Sequence, residues 1–92
     1  SDVYKRQPEN SRTVTQWGLR GRIPIDPLKP QYIWDNYYGV PVSIYYLEDN
    51  TREMTETEKT DFLADWKAFR QRYLKIISDE LERLREEARK KE

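Results

Sequence analysis

The chain has 92 residues, 36% of them apolar and 37% charged, and its acidic and basic side chains balance to a formal net charge of zero. Cys and His are both absent from the sequence, which excludes disulfide scaffolds, zinc fingers, thiol nucleophiles, Ser–His triads and imidazole bases. No apolar run approaches the roughly 18–20 residues of a membrane span, and a neutral chain is not drawn as a whole to nucleic acid or anionic lipid.

Residues 1–7 read Ser-Asp-Val-Tyr-Lys-Arg-Gln. The string matches the translated end of a transposase-tagmentation sequencing adaptor and is set aside from fold reasoning. The expectation is a fragment assembled from sequencing reads, with a disordered leader over residues 1–12. A native start, a signal peptide or another domain before Pro8 stays open.

The remainder is expected to be one small α+β domain. Aliphatic side chains are few, so 3 Trp, 7 Tyr and 2 Phe must supply much of the core volume. Residues 13–54 read as a three-stranded antiparallel meander. Over residues 13–25, Thr15, Trp17, Leu19, Ile23 and Ile25 share one parity while Gln16, Arg20 and Arg22 share the other. Period two with one polar face argues a half-buried strand, interrupted at Gly18 and Gly21. Pro27 and Pro30 mark a loop. Residues 31–35 form the second strand candidate, with Tyr32 and Trp34 opposite Ile33. A turn at residues 36–39 ends on Gly39, a residue able to take positive φ. In the third strand, residues 40–47, Val42, Ile44 and Tyr46 share one face and Ser43, Tyr45 and Leu47 the other. Short connections imply the meander.

Residues 55–92 read as one long C-terminal helix packed across one face of that sheet. Thr55 and Glu58 form a capping box. From Glu56 to Lys90 there is neither Gly nor Pro, so the helix spans about 35 residues, or about 50 Å. Phe62, Trp66, Phe69, Tyr73, Ile76 and Ile77 fall in a sector about 100° wide, flanked by Leu63 and Leu74. Glu80 and Glu87 then land in the stripe, so packing is expected to close near Ile77. The rest projects outward, with exposed ion pairs such as Asp79/Arg83 and Glu86/Lys90.

Several groups are candidates for function. One helix covers one sheet face, so some of Tyr32, Tyr37, Tyr38 and Tyr45 are expected to be exposed, with Tyr37, Tyr38 and Tyr45 the candidate contacts, the composition of a recognition surface for protein or for stacked bases. Filling of a small core is the competing role, above all for Trp17 and Trp34. Arg20 and Arg22 on the polar face of the first strand suit phosphate contacts, or simply a solvated face. Lys67, Arg70 and Lys75, with Arg72, concentrate positive charge on the helix and would meet phosphates or an acidic protein. A solvated helix face is the usual explanation of such a run. Leu81 and Leu84 on the projecting end would fray, seek a partner, or pair with a second copy.

Carboxylates at Asp26, Asp35, Glu48, Asp49 and Glu53 carry no metal-ligand or catalytic spacing, and residues 18–21 fit no phosphate-cradling loop. No cofactor and no metal are expected. The leading expectation is therefore a non-catalytic protein-interaction module with a protein partner. The alternative is a nucleic-acid-binding module using Arg20, Arg22 and exposed Tyr. A third is the C-terminal appendage of an enzyme whose active site lies elsewhere. No membrane contact is expected, and the chain is expected to be a monomer or a weak homo-oligomer through the helix end.

Overall fold

The computed structural model describes residues 10–36 and 38–91. The expectations for residues 1–7 and for Tyr37 lie outside the described residues. Thr13 redirects the chain where a single long strand was expected. Its hydroxyl accepts from the Gln16 N–H at 3.1 Å, and the Gln16 side-chain oxygen accepts from the Thr13 N–H at 2.8 Å. This reciprocal cap starts a helix. Residues 11–24 accordingly become β1 (Ser11–Thr13), α1 (Val14–Leu19) and β2 (Arg22–Pro24). Val14, Trp17 and Gly18, at helical spacing, face inward. Leu19, grouped with Trp17 by the two-residue period, is 73% exposed.

The later strands are β3 (Tyr32–Asp35), β4 (Pro41–Leu47) and β5 (Thr51–Glu53), with a 3-10 turn over Glu48–Asn50. β3 and β4 pair antiparallel as a hairpin, Tyr32 opposite Tyr45 and Trp34 opposite Ser43. Asn36 builds the turn between them. Its side-chain oxygen accepts from the N–H groups of Tyr38 and Val40, and Gly39 sits at φ 78. β1 adds to the far side of β4, with Ser11 opposite Leu47 and Thr13 opposite Tyr45. The sheet order is therefore β1-β4-β3 rather than that of a meander. β2 and β5 form a second, two-stranded antiparallel sheet.

The expected single helix is two: α2 (Glu56–Ala64) and α3 (Trp66–Lys90). The Thr55–Glu58 capping box forms. Asp65 breaks the run, at φ −157 and ψ 79, because its carboxylate accepts from the Ala68 N–H at 3.1 Å and caps α3. Short polar side chains compete for backbone groups in this way, so Asp at a mid-helix position invites a restart. The break turns Phe62 of α2 edge-on to Phe69 of α3, ring centroids 5.0 Å apart.

Among the described residues ten side chains form the core: Val14, Trp17, Ile23, Ile44, Tyr46, Met54, Phe62, Phe69, Tyr73 and Ile77. On α3 the buried line is Phe69, Tyr73 and Ile77, spaced i, i+4, i+8, with Leu74 and Leu81 packed beside it. The stripe is thus rotated from the expected sector. Trp66 is 45% exposed and Ile76 is at the surface. Packing also runs one turn past Ile77, to Leu81. Glu80 is partly covered there and accepts two hydrogen bonds from Arg83.

Polar ties fix the rest. The Trp17 indole N–H donates to the Tyr46 carbonyl at 2.8 Å, and the Tyr46 hydroxyl donates to the Pro27 carbonyl at 2.6 Å. Burial pushes the Tyr46 and Tyr73 hydroxyls above the ordinary phenol range.

Candidate binding groove between β4 and α3

β4 is longer than the strand that covers it. β1 pairs with Tyr45, Tyr46 and Leu47, then turns into α1 after Thr13. Residues 41–44 are left uncovered by β1 along that edge. An unpaired strand edge is a template for another chain. α3 passes alongside, and Arg70 reaches across to donate from Nη2 to the Val42 carbonyl at 2.5 Å. Backbone groups alternate in direction along an antiparallel strand, so Ile44 turns the same way as Val42.

Two cavities lie along this edge and meet at Arg70 and Leu74. The first, about 230 Å³, lies where β1 gives way to α1. Its walls are apolar, from Val14, Ile44, Trp66, Tyr73 and Leu74. Thr13, Thr15, Ser43 and Arg70 complete the lining. The Thr15 hydroxyl is buried and has no hydrogen-bond partner among the described residues. The second cavity, about 500 Å³, continues past Val40, Pro41 and Val42 to Lys75 and Asp79. Together they form a groove with a narrow apolar head and a wider polar run.

The groove is positive. Lys75 is paired with Asp79 at 3.0 Å. Arg70 and Lys67 make no ion pair among the described residues. Lys67 instead lies over the Trp66 ring, 5.7 Å from its centroid, a cation–π contact that keeps the ammonium beside the groove. Arg70 gives one N–H group to Val42 and has further donors beyond it.

Of the residues singled out in the sequence, Arg70 and Lys75 line this groove and Lys67 stands beside it, next to Trp66. Tyr45 lies on the other face of β4, in an aromatic row with Tyr32 and Trp34 at centroid separations of 5.7 and 6.3 Å. Tyr38 is 83% exposed at the hairpin turn. Leu81 packs on the core, whereas Leu84 is exposed. Arg20 is the exposed residue capping the end of α1. Arg22 is committed: its Nε donates to the Thr51 hydroxyl at 2.8 Å and its Nη2 to the Thr51 carbonyl at 3.0 Å. Arg20, Arg22, Tyr38 and Tyr45 thus sit on four separate pieces of the fold: the end of α1, β2, the hairpin turn and β4. Thr15, Ser43 and Leu74 were not singled out. The Thr13–Gln16 box was the one sequence signal that α1 begins there.

Among the described residues no group of three or more His, Cys, Asp or Glu side chains is arranged to hold a metal ion. None of their helices is long and apolar enough to cross a membrane. Compared with protein-family models, curated proteins and solved structures, the chain finds no significant match.

Proposed function

We propose that this chain is a non-catalytic protein-interaction module, and that the groove between β4 and α3 takes an extended, acidic segment of a partner protein. Arg70 carries the reading. It is a cation without an ion pair among the described residues, held over a stretch of β4 that β1 leaves unpaired. A strand edge offers main-chain hydrogen bonds to an extended chain, and neighbouring pockets select alternate side chains. Val42, Ile44 and Leu74 supply apolar contact, while Arg70, with Lys67 nearby, favours carboxylates.

The nucleic-acid alternative is less favoured, since Arg22 already gives two of its N–H groups to Thr51. The aromatic row on the opposite face, with Trp34 exposed and Tyr32 and Tyr45 half-buried, remains as a second contact, but no cation among the described residues stacks on its rings.

Fluorescence anisotropy with labelled glutamate-rich, neutral and lysine-rich peptides tests the proposal. Glutamate-rich peptides should bind best, and Arg70→Glu should abolish the preference. Binding that ignores peptide charge, or survives Arg70→Glu, would sink it. Tighter binding to random duplex DNA, with a steep loss of affinity in salt, would put the nucleic-acid reading in its place.

A further inference from the structure

The geometry points to the head of this groove as a receptor for the last residue of a partner chain, holding its terminal carboxylate and its apolar side chain together. The inference rests on the peptide-binding reading above and specifies its ligand. Three observations converge on it.

The first is size. A cavity of about 230 Å³ falls below the roughly 300–1,000 Å³ of pockets that enclose a whole drug-sized ligand. It suits one residue, with the remaining chain running on into the wider cavity beyond Arg70.

The second is the division of its walls. Val14, Ile44, Trp66, Tyr73 and Leu74 make an apolar socket. A glutamate or aspartate side chain would bring charge but leave that socket empty. A chain terminus brings an apolar side chain and a carboxylate on the same carbon.

The third is the polar set. Arg70 faces no acidic partner among the described residues and retains N–H donors beyond the one given to Val42. Thr15 lines the same cavity, and its hydroxyl has no partner among those residues; the oxygen is closed off in the unbound chain, so a ligand reaches it only once the side chain turns. Native proteins rarely leave such a group unsatisfied, and an exception calls for a reason. A carboxylate has two oxygens and accepts from both a guanidinium and a hydroxyl.

Paired peptides decide the question. Short labelled peptides with a glutamate-rich body and a final leucine, phenylalanine or glutamine are made with either a free or an amidated C-terminus. The free acids ending in leucine or phenylalanine should bind about tenfold or more tightly than their amides, the effect of one charge-assisted hydrogen bond. Thr15→Val keeps the shape and removes an unsatisfied hydroxyl, so the fold should be at least as stable while the gap narrows. Arg70→Gln should close the gap further.

Equal binding of acids and amides would overturn the inference and leave the acidic-segment reading standing. Failure of every peptide, free or amidated, would overturn both. If 3-phenylpropionate alone binds as tightly as the peptides, the cavity is a small-molecule site and the chain-terminus inference falls.

Discussion

Trp17 and Tyr46 are locked to each other by more than packing: the indole N–H of the helix donates to the strand carbonyl across 2.8 Å, with both side chains buried. Trp17→Phe retains most of the apolar volume and removes the donor. The carbonyl loses that hydrogen bond, so stability should fall by about 1–3 kcal/mol. A thermal melt reads this directly, because about 1 kcal/mol moves Tm by about 4–8 °C in a domain of this size. An unchanged Tm would mean that the tie contributes nothing.

Gly18 is required by contact. A Cβ there would overlap three carbons of the Phe62 ring, and that ring is braced edge-on by Phe69 at 5.0 Å. Gly18→Ala should destabilise by about 1–3 kcal/mol through overpacking. Phe62→Leu makes room, so the double variant should lose less than the two single losses added together. Strict additivity by denaturant titration would show that the overlap is relieved elsewhere.

Phe69 and Trp66 sit on the same helix and should behave oppositely. Phe69→Ala opens a cavity in the core and should remove about 3–5 kcal/mol. Trp66 is 45% exposed, so its replacement by Ala should remove less than half as much while weakening peptide binding in the groove. Equal destabilisation by circular dichroism would place Trp66 back in the core.

Acid should weaken the fold through Glu58. The Arg52 guanidinium donates to both of its oxygens and the Thr55 N–H to one, which holds the carboxyl at about 2, below its ordinary 4.5. The folded state therefore binds this proton less readily than the unfolded chain. The contribution is whole above about pH 4.5 and is lost as pH falls toward 2. Glu58→Gln should flatten the decline of Tm across that window, and an unaltered slope would remove Glu58 from the acid response.

Much of the hairpin was legible in the sequence. Val42, Ile44 and Tyr46 alternate with Ser43, Tyr45 and Leu47 over a full strand length, long enough for period two to be unambiguous. Residues 14–19 are too few for that test. Thr15, Trp17 and Leu19 satisfy a two-residue period, while Val14, Trp17 and Gly18 satisfy a helical one, and the Thr13 cap decides between them. The restart at Asp65 is equally local, a single carboxylate competing for the backbone. For the groove, Arg70 and Lys75 stood out as part of a positive run. Thr15, Ser43 and Leu74 did not, because they come from three distant segments that meet only through the pairing of β1 with β4 and the passage of α3 beside it.

That pairing also sets an order of assembly. β3 with β4, and α2 with α3, are neighbours in the chain and close short loops. Ser11 waits for Leu47 and Arg22 waits for Glu53, and such distant closures are slower to form. During synthesis, Val14 and Trp17 leave the ribosome well before the strand and helix that will bury them. The α1 segment is thus made before its cover and protected late, and a chaperone acting on the nascent chain would find its apolar hold there.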